Sequence, residues 1–236
     1  MKKKTLLISS LILIIFVSLA AFSMVNPQKG EGDRLVVAFG DSLTYGYGDQ
    51  KGSGYIDTLQ TKLNNQNKQY YNFDNEAIYG LESSGILTQL SDVSIRGKLD
   101  DANYFILFIG TNDLINSNGG NLDNLKLGEI EKGQADYLRN LRAILNILSE
   151  KNEKAPILLL GLYNPYPDSA AIEAVINDWN EKIKKTAKNE KRVVYIPTND
   201  LFKGKDKKQY FSDSLHLNDK GYKLITDRIL GKYKFE

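Results

Sequence analysis

Tyr104-Phe105-Ile106-Leu107-Phe108-Ile109-Gly110-Thr111-Asn112-Asp113 is six apolar residues followed by a glycine and a polar turn. A run with no polar position is apolar on both faces, as expected of a central strand in a parallel sheet that carries helices on each side. Toward the N-terminus, Leu35-Val36-Val37-Ala38-Phe39 is a second such run ending at Gly40, and Tyr70 to Phe73 supplies another candidate strand. Helical patterns lie between these runs, one through Ile56, Leu59 and Leu63 and one near Ser83 to Asp92. Toward the C-terminus a long helix is predicted from about Glu129 to Glu150, with apolar positions at Ala135, Leu138, Leu141, Ile144 and Leu145. Pro156 then opens the strand Ile157-Leu158-Leu159-Leu160, and a helix near Ser169 to Asn189 leads to the strand Val193-Val194-Tyr195-Ile196. Asn218 to Leu230 forms the last helix. Strands alternating with helices predict a three-layer α/β/α sandwich on a central parallel sheet, in one body domain spanning 34–236.

Composition narrows the chemistry. With 42% apolar and 25% charged residues the 236-residue chain has an ordinary globular balance, which excludes disorder. It contains no Cys and one His, His216. That excludes thiol catalysis, iron–sulfur clusters and cysteine-based zinc sites, and no metal or organic cofactor is expected. Lys+Arg number 31 against 29 Asp+Glu; without Lys2, Lys3 and Lys4 the remaining 28 face 29. The body is thus not basic, and a nucleic-acid partner has no support.

Those three lysines precede 21 uncharged, strongly apolar residues from Thr5 to Val25. A positive tip before an apolar run marks residues 1–25 as a secretory signal peptide or an uncleaved N-terminal signal anchor. Ser18 and Ala20, or Ala21 and Ser23, offer small-residue cleavage patterns, whereas the length of the run favours retention in a bilayer. Either outcome predicts an extracytoplasmic body, secreted or held at the outer face of the membrane. Residues 26–33, polar with Pro27, Gly30 and Gly32, form a linker.

In an open parallel sheet, ligands bind outside the carboxyl ends of the strands, so the residues just after each strand are where chemistry belongs. After the first strand comes Gly40-Asp41-Ser42-Leu43-Thr44. The glycine allows a sharp turn that exposes Ser42 at the sheet edge, although a serine there equally fits a helix cap. The dinucleotide, phosphate-loop and G-x-S-x-G patterns are absent from the sequence. Asn112, in Gly110-Thr111-Asn112-Asp113, can donate a hydrogen bond to an oxygen acquiring negative charge, or can belong to a plain turn. Asn75-Glu76-Ala77-Ile78-Tyr79-Gly80 follows the second strand and can present backbone N–H groups. Asp213-Ser214-Leu215-His216 sets a carboxylate three residues before the lone imidazole, the offset that lets an acid orient a general base. Asp41 and Asp113, flanking these positions, are expected as turn and helix-start residues.

Together these blocks resemble the SGNH or GDSL hydrolases, serine esterases and lipases on a flavodoxin-like sheet. The resemblance spans about Arg34 to Leu230. It implies Ser42 as nucleophile from the Gly40-Asp41-Ser42-Leu43 block, Asn112 as an oxyanion-hole donor, and Asp213 with His216 as acid and base. The family's Asn-x-Gly-x-x-Gly block corresponds to Asn75, Ala77 and Gly80, so Ala77 stands where glycine is usual. The oxyanion hole would then comprise the Ser42 and Ala77 backbone N–H groups with the Asn112 side chain, while Asn75 braces its loop.

The function so implied is hydrolysis of carboxylic esters, from small-molecule, lipid or glycan substrates, through an acyl-enzyme. The alternatives are a carbohydrate O-deacetylase acting on cell-wall glycans and a non-catalytic, membrane-tethered binding protein. Four further expectations concern the surroundings. Asn116 to Leu127 is a candidate lid or a plain loop. Tyr45, Tyr47, Tyr79, Tyr163 and Tyr166 are candidates to line the cleft. The charged run Lys203 to Lys208 is expected to be solvated, and Trp179 to be packing.

Overall fold

A computed structural model describes residues 32–52, 54–166 and 168–236. The expected signal segment 1–25 and most of the expected linker 26–33 lie outside the described residues. Residues Arg34–Glu236 form one compact unit. Its strands are β1 (Arg34–Gly40), β2 (Tyr71–Asn75), β3 (Tyr104–Phe108), β4 (Ile157–Leu160) and β5 (Val193–Ile196), paired in parallel in the order β2-β1-β3-β4-β5. The fully apolar run is β3, buried at every position near the middle of the sheet.

Because strand side chains alternate between faces, β1, β3, β4 and β5 each feed two cores. Val37, Phe39, Phe105, Leu107 and Leu159 point into one, which is closed by α3 (Ser83–Gln89), α4 (Val93–Asp101), α6 (Leu127–Lys151) and α7 (Ala170–Ala187). Val36, Ala38, Ile106, Phe108, Leu158 and Leu160 point into the other, closed by α2 (Gly54–Gln66) and α8 (Asp219–Lys232). The helices meet the sheet through 3.6-residue stripes. In α6 the buried positions are Ile130, Gln134, Tyr137, Leu141, Ile144, Leu145 and Leu148, and burying each aliphatic one is worth about 1.5–3 kcal/mol. Trp179 is packing as expected, 1% exposed and stacked on Tyr137 at 5.2 Å.

Two elements differ from the sequence expectation. The single helix expected near Ser83 to Asp92 is shorter, and a second one, α4, follows it. Asp92 accepts from the N–H of Ser94 at 2.8 Å and so starts a new helix rather than finishing the old one. α4 buries only Ile95 and Leu99, one i,i+4 pair, which leaves little periodic signal to read. The turn after β3 is itself a short helix, α5 (Thr111–Ser117), in which only Leu114 is buried.

The strand order fixes where a site can form. β1 and β3 are neighbours, in register from Val36 opposite Tyr104 to Gly40 opposite Phe108, yet the chain leaves them toward different parts of the fold. This is a topological switch point, and the crevice at the carboxyl ends of β1 and β3 brings Asp41-Ser42 beside Gly110-Asn112.

Candidate active site

Ser42 owes its position to close packing at the end of β1. A Cβ on Gly40 would lie 2.2 Å from Thr44 Oγ1 and 2.6 Å from the Phe108 carbonyl oxygen, so only glycine lets the chain turn this tightly against β3. Asp41 then caps the short helix α1 (Ser42–Tyr45), its Oδ1 accepting from the Leu43 N–H at 2.9 Å. Gly46, in the left-handed region at φ 91°, ends the helix. Ser42 is the first residue of α1, where a backbone N–H has no preceding turn to accept it.

His216 comes from a loop pinched shut by the bridge between Phe211 and Leu217, with Ser212 N–H donating to the His216 carbonyl at 2.9 Å. Within it, Asp213 Oδ1 accepts from the N–H groups of Leu215 and His216, both at 2.7 Å, and Oδ2 lies 2.7 Å from His216 Nδ1. Partial burial alone would raise the Asp213 carboxyl, but these N–H groups and the imidazole together hold it below the usual carboxylate range. An ionised carboxylate only accepts, so Nδ1 carries the ring proton and Nε2 is left as an acceptor. Nε2 is 2.9 Å from Ser42 Oγ. The serine hydroxyl therefore faces a base, and the base is oriented by an acid. Ser42 and His216 are 4% and 6% exposed, enough shielding from water to strengthen this line of hydrogen bonds.

Asn112 reaches the Asp41 turn, where its Nδ2 donates to the Leu81 carbonyl at 3.0 Å and to Asp41 Oδ2 at 3.3 Å. Asn75 braces its loop as expected, with Nδ2 donating to the Thr44 carbonyl at 3.0 Å and Oδ1 accepting from Ala77 N–H at 3.2 Å. No non-glycine residue among those described has a positive φ, so the Cβ of Ala77 introduces no backbone strain. In this arrangement the amides of Asn112 and Ala77 already hold protein acceptors. Serving an oxyanion would require them to exchange partners.

The two flanking acids have distinct roles. Asp41 is the cap it was expected to be, but burial lifts its carboxyl to about 7, with a further push from Asp113 and an opposing pull from Leu43 N–H. Asp113 serves another helix start, accepting the Ser83 N–H at 3.0 Å and the Ser83 hydroxyl. Burial raises its carboxyl too.

Tyr47 and Tyr79 form an aromatic border at the imidazole, with ring centres 4.6 and 6.0 Å from that of His216. Together with Tyr45 and Ile78 they are among the most exposed large apolar side chains described. Tyr163 and Tyr166 are engaged in other contacts. Tyr163 is buried and donates from Oη to the Leu215 carbonyl at 2.8 Å, and Tyr166 lies under the Lys207 ammonium. In the stretch Asn116 to Leu127, Leu122 and Leu125 join the core of the α6 and α7 face, while Leu127 is exposed. Asn118 pins the loop through the Asn121 and Asn124 carbonyls and the Lys126 N–H. No signal in the sequence marked Tyr163 or Lys207 as supports of the His216 loop.

Known proteins similar to this chain bear on its family and fold. The profile of the GDSL-like Lipase/Acylhydrolase family matches residues 38–224. The chain is similar to the protein YpmR of Bacillus subtilis (strain 168), with 30% identity over 69% of this chain and 66% of that protein, just under two thirds of its length. Among solved structures it is similar to the lipase Lip_vut3 from a goat rumen metagenome, with 25% identity, a TM-score of 0.73, and coverage of 84% of this chain and 97% of that one. It shares its fold with Axe2, an acetylxylan esterase from Geobacillus stearothermophilus, at a TM-score of 0.68 and 15% identity, covering 86% of this chain and 95% of the other. A sheet of order β2-β1-β3-β4-β5, the four motif blocks at its carboxyl edge and a family match across most of the body lead to one conclusion: the chain belongs to the GDSL-like lipase/acylhydrolase family.

Proposed function

We propose that this protein is an extracytoplasmic serine esterase of the lipase/acylhydrolase type. The observation that carries the reading is the continuous line from Asp213 through His216 to Ser42, with hydrogen-bond distances of 2.7 and 2.9 Å. His216 Nε2 takes the Ser42 proton as Oγ attacks the ester carbonyl, and Asp213 stabilises the imidazolium that forms. The Ser42 N–H receives the oxyanion, joined by the Asn112 amide and Ala77 N–H as they leave their present acceptors. His216 then protonates the departing alcohol, and a water activated by the same imidazole hydrolyses the acyl-enzyme. The N-terminal lysines and apolar run support a location outside the cytoplasm, with the segment anchoring the protein if it is uncleaved.

A second reading, removal of acetyl groups from glycans, is favoured by the exposed tyrosines beside the imidazole. Their faces can stack on a sugar ring as readily as on an acyl chain. The shared fold with an acetylxylan esterase is compatible with it.

Ser42→Ala should abolish ester turnover and labelling by a fluorophosphonate probe while leaving the fold intact. Undiminished turnover overturns the assignment, and a folded wild-type protein that takes no label favours a binding protein. A panel of p-nitrophenyl esters of rising chain length, run against acetylated glycans, separates lipase from deacetylase.

A further inference from the structure

Lys207 departs from the charged run in which it lies. Lys203, Lys205 and Lys208 are exposed, as expected of a solvated loop, but Lys207 is half-buried. Its ammonium donates to the Ser214 carbonyl at 2.5 Å and to the Pro165 carbonyl. It also lies 4.5 Å from the centre of the Tyr166 ring and 5.1 Å from that of Phe211, within cation–π range of both. Burial lowers the affinity of this ammonium for its proton, while the Asp213 carboxylate acts in the opposite sense. One cation is therefore held by two carbonyls and two rings drawn from two separate segments.

Those segments are the one after β4, with Pro165 and Tyr166, and the loop from Phe211 to Leu217 that carries Asp213 and His216. The same pair of segments is joined on the buried side by Tyr163 Oη, which donates to the Leu215 carbonyl. The loop is thus fastened to the β4 edge at two consecutive carbonyls, Leu215 from within by a phenol and Ser214 from the outer side by an ammonium. The outer fastening matters because the Asp213 side chain is 44% exposed, so water competes for the carboxylate that orients the imidazole.

We propose that Lys207 is a positioning residue of the site: its ammonium cross-links the segment after β4 to the Asp213–His216 loop and so holds the imidazole aligned on Ser42. This rests on the esterase reading above. Loss of the ammonium lets the loop shift, and a displacement of about an ångström at a reacting group can cost up to ~10²-fold in rate.

The test uses the full-length protein with Lys207→Met, which keeps the aliphatic stem on the two rings and removes the charge. Lys207→Arg is the rescue and Lys205→Met the control. On p-nitrophenyl acetate, Lys207→Met should lower kcat roughly 10- to 100-fold with KM within about twofold of wild type, and should slow fluorophosphonate labelling of Ser42 in parallel. Lys207→Arg should recover most of the loss, and Lys205→Met should match wild type. Since the chain has one histidine, the downfield proton resonance of Nδ1–H between His216 and Asp213 is assigned without ambiguity. It should shift or broaden in Lys207→Met and return in Lys207→Arg. Wild-type kcat together with an unmoved resonance in folded Lys207→Met overturns the proposal. Should that variant fail to fold, Lys207→Gln is judged by the same two readouts. If Ser42→Ala retains full turnover, the esterase reading falls, and the His216 resonance still decides the role of Lys207.

Discussion

Asp41→Asn isolates the cost of placing a carboxylate beneath Ser42. Asp41 is 1% exposed, and burial, reinforced by Asp113, lifts its carboxyl from an ordinary 3.8 to about 7. The folded protein therefore binds this proton more tightly than the unfolded chain does. That contribution to stability is complete below pH 3.8 and is lost as the pH rises through about 7. The gap between 3.8 and about 7 is roughly three pH units at about 1.4 kcal/mol each, so on the order of 4 kcal/mol is lost between pH 4 and pH 8. Asparagine has no such proton. It keeps a side-chain oxygen for the Leu43 N–H, and any poor contact of its amide with Asn112 Nδ2 costs the same at every pH. Urea unfolding, followed by fluorescence of the single tryptophan, Trp179, gives the stability of both proteins from pH 4 to pH 8. The stability of the variant relative to wild type should rise across that range by about 4 kcal/mol. A difference that stays constant with pH refutes the reasoning, since it would mean that Asp41 ionises in the folded protein much as it does in water.

The other expectations test the turn and the oxyanion donors. Gly40→Ala drives a Cβ into Thr44 and the Phe108 carbonyl, so it should cost about 1–3 kcal/mol or more in urea unfolding and displace Ser42, with loss of ester turnover. Wild-type stability would show that the turn has more room than these distances allow. Asn112→Ala should lower kcat about 10²- to 10³-fold with little change in KM if its amide leaves Leu81 and Asp41 for the oxyanion. An unchanged kcat would show that the amide only braces the Asp41 turn.

How far the site could be read from the sequence depended on the distance over which each feature is encoded. Gly40-Asp41-Ser42 and Asp213 with His216 are local patterns that single out candidate residues, and the structure brings Ser42 and His216, 174 residues apart, to 2.9 Å. The Asn75 brace was expected alongside the family resemblance, and one half of it is local, the Ala77 N–H lying two residues on, whereas the Thr44 carbonyl comes from another segment. Lys207 was not legible. In a run containing Lys203, Lys205 and Lys208 nothing local distinguishes it, and its two carbonyl partners arrive from Pro165 and Ser214. Tyr163 and Tyr166 were expected in the cleft because they follow β4, yet which way a side chain turns at a strand end depends on what packs there. Leu122 and Leu125 likewise suited a lid by composition, until the Asn118 hydrogen bonds and the α6–α7 core drew them inward.

By itself the sequence determined the layers, the strands and which side chains stand as candidates for the chemistry. Apolar period and turn residues act through neighbours a few positions away, and a hydroxyl or imidazole carries its chemistry wherever the chain puts it. Only the tertiary structure decided that Asp41 is sealed from water, that the Asn112 amide already has acceptors, and that a lysine fastens the loop bearing His216. Those properties follow from burial and from contacts between distant segments, and both come into being only when β1 and β3 lie side by side and the helices close over them.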